Sequence, residues 1–200
     1  MEMALAPSPA VQDECRDGFP FVGGALWLDL LNTVVAEGGT GRDLIASGEG
    51  MARWLAAAGL APAKAGSEAE LRLVRESLRP AIDRFRQGKP LPSGLLSRID
   101  ALLAEVVSRM RLVVEEGRPR LVSRVDPGRA GPAGLVAADF ARFVCEAEPE
   151  RLKHCVNPAC SLVFYDTGKN NARRWCAMSL CGNRDKVARY RARRQGTLSG

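Results

Sequence analysis

Two pairs of cysteines stand near the C-terminal end of the 200-residue chain: Cys155 with Cys160, and Cys176 with Cys181. Four residues separate the members of each pair, and fifteen lie between the pairs. Thiolates are soft ligands, and two tight loops that each present two of them can close a tetrahedron around one Zn²⁺. A spacer of four is at the long end of the usual range. With four sulfurs bound, no coordination position stays open, so the expected ion is structural and activates no water. Its binding energy would then be most of the folding energy of a segment too small to bury a core of its own. The alternative use of the same thiols is a redox switch that oxidises and releases the metal. His154, the chain's single histidine, precedes the first ligand and is not needed to complete the shell.

Directly after Cys181 the sequence reads GNRDKVARYRARR. Asn183 is a good helix cap, and a helix from it would run to about Arg194. At 100° per residue Lys186, Arg189 and Arg193 form one stripe, Arg184 and Arg191 lie nearly opposite, and Val187 and Tyr190 share a third side that can pack on the finger. A rod that is basic on more than one face suits a groove with phosphates on both walls. Asp185 is its only acid, too little for the i,i+4 pairing of an ordinary solvated helix. The candidate nucleic-acid contacts are therefore Arg173, Arg174, Arg184, Lys186, Arg189, Arg191, Arg193 and Arg194. Trp175 reads as an apolar prop for the metal loops.

The charge distribution agrees. Residues 151–200 hold eleven lysines and arginines against two acids, whereas residues 1–150 hold eighteen against twenty-one. An overall charge of +6 is thus the property of one end, as expected for a molecule that meets a polyanion there. No leader-like segment opens the chain and no apolar run reaches the roughly 20 residues of a membrane span, so a soluble, cytoplasmic protein with reduced thiols is expected. Catalytic signatures are missing: there is no Gly-x-Ser-x-Gly, no phosphate loop and no His-Glu-x-x-His. We expect no enzyme.

The elements that must carry this end are mostly helical. Residues 1–18 read as a flexible arm. Leu26, Leu30 and Val34 repeat at helical spacing, with a loop at 37–43. Ser47 caps a helix that Gly59 closes. Ser67 and Glu70 make a capping box for the stripe Leu71, Val74, Leu78, Ile82 and Phe85, which Pro80 should kink or split. Another helix opens at Ser93. Residues 111–125 predict a β-hairpin turning at Glu116–Gly117. A last helix carries Val136, Phe140, Phe143 and Val144 inward, with Cys145 as a small buried residue. Between the cysteine pairs, residues 161–175 predict a second hairpin turning at Asp166–Gly168. Asp29, Asn32 and Thr33 are polar groups in an apolar setting; they either satisfy a buried helix end or line a small ligand pocket. The fold class is α+β: a mainly helical N-terminal domain (19–148) with a small hairpin, then a four-cysteine zinc finger (150–195) made of a hairpin and a basic C-terminal helix, then a tail (196–200).

In RRWCAMSLCGNRDKVARYRARR, with the upstream CVNPACSLVFYD, the sequence resembles the CGNR zinc-finger family, for which Cys181–Gly182–Asn183–Arg184 supplies the signature. WLDLLN, with Thr33 after it, resembles the start of the stress-induced transcription regulator domain that usually precedes this finger. The resemblance implies a bacterial, stress-response regulator whose finger binds DNA, with the four cysteines as ligands.

The function expected is a transcriptional regulator that contacts double-stranded DNA through the basic helix, with the N-terminal domain for sensing a small-molecule effector or forming a homodimer. The alternative is an RNA- or protein-binding finger, thiol-redox responsive; few aromatics in the basic segment weaken a single-strand RNA role.

Overall fold

The structure is a computed structural model and describes residues 14–37, 40–60, 67–183 and 186. The described chain begins with β1 (Cys15–Arg16) and β2 (Phe19–Pro20), an antiparallel pair closed by Asp17 and Gly18, both at positive φ. Arg53 holds this turn through two hydrogen bonds to the Asp17 carboxylate, 2.8 and 2.9 Å. Residues 14–18 of the expected flexible arm are therefore folded back on the body; residues 1–13 lie outside the described residues.

Next comes α1 (Leu26–Leu31), only six residues long. Trp27, Leu28, Leu30 and Leu31 are all buried, and so is Asp29, the helix's one charged side chain, so every side of it faces the interior, as for a helix in the middle of a body. It has no side-chain cap of its own. Asp139, far along the chain, supplies one by accepting from the Trp27 N–H at 2.9 Å. The expected helix is shorter than its periodicity: Val34 belongs to β3 (Val34–Glu37), paired antiparallel with β4 (Thr40–Asp43) where a loop was expected. The helix stops at Asn32, whose side chain is engaged elsewhere, as described below.

The helices then follow their sequence cues. Ser47 accepts from the Gly50 N–H at 3.0 Å to start α2 (Gly48–Ala57), and Gly59 ends it at φ 70°. α3 (Ser67–Leu78) and α4 (Ala81–Arg86) are the two halves of one stripe, broken at Arg79–Pro80 because proline has no N–H to continue the ladder. Glu70 accepts from Arg98 at 2.8 Å, which lies in α5 (Ser93–Leu103). β5 (Val107–Glu115) and β6 (Arg118–Asp126) form a long hairpin with Glu116 and Gly117 at positive φ, the two-residue turn whose twist matches that of the strands. α6 (Gly131–Glu146) packs on α1, α3 and α5. Phe140 and Phe143 both meet the Trp27 ring edge-on at 5.2 Å, a geometry aromatic quadrupoles favour. Cys145 corrects an expectation: it is exposed, since the inward face of α6 passes through Val136, Ala137 and Phe140.

β7 (Leu152–His154) and β8 (Val163–Tyr165) complete the described strands, paired antiparallel. A hairpin exists in the cysteine segment, then, but not where expected. Its strands flank the first cysteine pair, and residues 167–175 form a loop. Among the described residues no helix is long and apolar enough to cross a membrane.

Candidate metal centre

The first cysteine pair sits at the end of the β7–β8 hairpin. Cys155 N–H donates to the Leu162 carbonyl at 3.0 Å, extending the ladder by one rung. Asn157 then folds the connection: its side-chain oxygen accepts from Ala159 N–H at 3.0 Å and its carbonyl from Cys160 N–H at 2.9 Å. This is the Asx-turn chemistry that asparagine offers, and it returns Cys160 beside Cys155.

The second pair is brought to the first by a chain of anchors around Asp166. One carboxylate oxygen accepts from Gly168 N–H at 2.9 Å; the other accepts from Arg173 N–H and from Lys153 Nζ, both at 2.8 Å. Burial opposes the charge, but Lys153 and the two backbone donors outweigh it and hold the Asp166 carboxyl down to about 2. Val156 N–H then donates to the Arg174 carbonyl at 3.0 Å, which sets Trp175 and Cys176 against the first loop. A helical turn at Met178–Gly182 places Cys181. Asn183 stands at the C-cap of that turn with helical backbone angles, φ −69° and ψ −37°.

The result is a cluster of four sulfurs, all within 4.8 Å of one another. Cys160 and Cys176 are 3.9 Å apart. Zn–S bonds of about 2.3 Å in a tetrahedron put sulfurs about 3.8 Å apart, whereas a disulfide would need about 2.0 Å. The donor set therefore fits a closed zinc site. A hydrogen bond from the Cys176 thiol holds the Cys160 thiol down to about 5, and the same contact pushes Cys176 up: packed thiols cannot all ionise unless a cation sits among them. Asn157 Nδ2 donates to the Cys181 sulfur at 3.4 Å. Around the sulfurs lie Val22, Leu162, Phe164 and Ala177, with Trp175 packed against them. Phe164 packs with the cysteines, while its neighbour Tyr165 faces the body and meets Phe143 edge-on, as strand alternation requires.

Two families match the chain. The description "CGNR zinc finger" fits residues 151–194, and ABATE, "Putative stress-induced transcription regulator", fits residues 24–147. The chain belongs to the ABATE family. It carries a CGNR zinc finger that holds one structural zinc ion on Cys155, Cys160, Cys176 and Cys181. No curated protein matches the chain.

The basic residues divide. Arg174 is exposed, with its guanidinium 5.2 Å from the Trp175 ring centre. Lys186 is exposed and helical. Arg184, Arg189, Arg191, Arg193 and Arg194 lie outside the described residues. Arg173, expected among the nucleic-acid contacts, turns inward. Its guanidinium donates to the carbonyls of Trp175 (3.0 Å), Val22 (3.4 Å) and Cys176, and lies 4.3 Å over the Phe164 ring. It braces the second metal loop against the body.

Asp29, Asn32 and Thr33 are all buried and engaged internally. Asp29 accepts from Gly23 N–H at 2.8 Å. Asn32 donates to the Val163 carbonyl and accepts from the Val163 N–H, both at 2.9 Å. Thr33 donates to the Leu30 carbonyl at 2.7 Å and accepts from Arg75 at 2.9 Å. Beside them Gly23 accepts from Tyr165 N–H at 2.8 Å, and the Ser161 hydroxyl accepts from Ala36 and donates to Val34. Residues 23–36 thus run along the finger, and the two matched segments share one hydrogen-bonded seam. The seam and the Asp166 anchor were missed from sequence, although Asp166 stood out as one of two acids in the basic quarter.

Proposed function

We propose that this ABATE protein is a DNA-binding transcriptional regulator of the bacterial cytoplasm. The zinc finger would hold a basic helix against double-stranded DNA, and the body would sense an effector or form the dimer. One observation carries the reading: the helical turn that supplies the last zinc ligand, Cys181, leads straight into the stretch with Arg184, Lys186, Arg189, Arg191, Arg193 and Arg194. A rigid metal site at the root of a helix fixes where its cations point, as phosphate and groove contacts require. Arg174, exposed on the neighbouring loop, adds a further contact.

Fluorescence anisotropy tests it. Zinc-loaded protein should bind a duplex from its own upstream region more tightly than a scrambled one, with affinity falling steeply as salt rises. Arg189→Glu/Arg193→Glu should keep its zinc and lose that binding. Equal, weak binding to both duplexes would refute the regulator and favour a finger that docks RNA or an acidic protein surface.

A further inference from the structure

The β5–β6 hairpin stands apart from the core. Its strands pair with each other over nine residues, and among the described residues no other element packs closely along them. The register sorts its side chains onto two unlike faces. One bears Met110, Leu112, Val114 and Leu121, which are 52, 72, 71 and 64% exposed, with Leu112 directly opposite Leu121 and Val114 opposite Pro119. Its polar members, Ser108 and Ser123, bond to each other at 2.6 Å. No charge falls on this face. The other face carries Arg109, Arg111, Arg118 and Arg120, all exposed, with Glu115 among them accepting from Arg120 at 2.7 Å.

We propose that this hairpin is a self-association arm, its apolar face packing on the same face of a second copy of the chain. Scattered surface leucines are ordinary, but a continuous apolar row with nothing over it marks a contact surface. Charge selects the occupant. A polyanion or an acidic protein would take the arginine face. The uncharged face calls for an equally uncharged, apolar surface, and a two-fold axis supplies one at matching shape and concentration. Stacked at about 10 Å, the two arms turn their arginine faces outward on opposite sides, so like charges stay farther apart than the Debye length of about 8 Å. A two-stranded hairpin is marginal alone, and the second layer gives these strands an apolar backing that none of the described residues provides. Strands of about 30 Å make a small interface, so the dimer should dissociate at micromolar concentration. This assigns a surface to the dimerisation in the reading above; the test holds no DNA, so failure here leaves that reading intact.

Sedimentation velocity of the zinc-loaded full chain should show monomer passing to dimer between about 1 and about 200 μM. Leu112→Thr/Leu121→Thr keeps β-propensity and should weaken the dimer at least about tenfold, with zinc content and melting temperature unchanged. Arg109→Gln/Arg111→Gln should dimerise like the parent. Amide exchange across 107–126 should slow as concentration rises. A chain that stays monomeric throughout, or a Leu112→Thr/Leu121→Thr protein that dimerises as tightly as the parent, overturns the proposal.

Discussion

The carboxamide of Asn32 and the backbone of Val163 exchange two hydrogen bonds of 2.9 Å across 131 residues of sequence. One side chain at the end of α1 therefore acts as an extra strand rung for β8, the strand that also positions Phe164 beside the zinc sulfurs. The amide suits the place because it offers a donor and an acceptor side by side, as a peptide group does.

Asn32→Ala should leave both Val163 groups buried and unpaired. The expected loss is about 2–4 kcal/mol, read by denaturant unfolding, with faster amide exchange at Val163. Zinc stoichiometry should be unchanged, because the ligands lie elsewhere. An unaltered unfolding midpoint would show that the seam carries no stability.

Zinc removal should act locally. The small core of Val22, Leu162, Phe164 and Ala177 is built on the sulfurs, whereas Trp27, Trp54 and Phe140 belong to the separate helical core. Cys176→Ser should lose the ion and near-ultraviolet signal from Trp175, while far-ultraviolet helicity largely remains. Elemental analysis and circular dichroism check both halves.

Asp29 makes stability depend on pH. Burial raises its carboxyl to about 7, against about 3.9 in the unfolded chain. The folded state then binds a proton that the unfolded state lacks, so stability falls as pH rises from about 4 through about 7 and is level above that. The full effect is on the order of 4 kcal/mol. Asp29→Asn should be more stable than the parent at pH 8, and the difference should shrink by pH 5.5. A constant difference across that range would contradict the assignment.

Arg75 is buried and makes a bidentate pair with Asp43, at 2.7 and 2.6 Å, while donating to Thr33. The hydrogen bonds from Arg75 hold the Asp43 carboxyl below its usual range. That contribution is present above the ordinary carboxylate pKa and is lost as pH falls through the depressed one. Arg75→Met should cost about 1–3 kcal/mol at neutral pH, and less in acid.

Arg173 and Arg174 should separate cleanly. Arg173→Gln removes donors to three backbone carbonyls and should lower the melting temperature of the finger. Arg174→Gln should leave melting unchanged and reduce the salt slope of DNA binding by about one. The reverse pattern would exchange their roles.

The sequence by itself determined the zinc ligands, because metal chemistry constrains residue type and short spacing, both written within a few residues. It determined the helices α2 to α6, whose apolar stripes are local, the Ser47 cap of α2, the break at Pro80, and the Glu116–Gly117 turn. Only the tertiary structure decided what depends on distant partners. α1 ends early because Asn32 is taken by Val163, and its N-terminus is capped by Asp139. β3 and β4 hold few buried side chains to mark them. β8 pairs with β7, upstream of the cysteines, because the first metal loop is the turn between them. Arg173 points inward because backbone carbonyls, invisible to any reading of side-chain type, converge on it. Periodicity reports which face of an element is apolar; which atoms meet that face is set by the path of the whole chain.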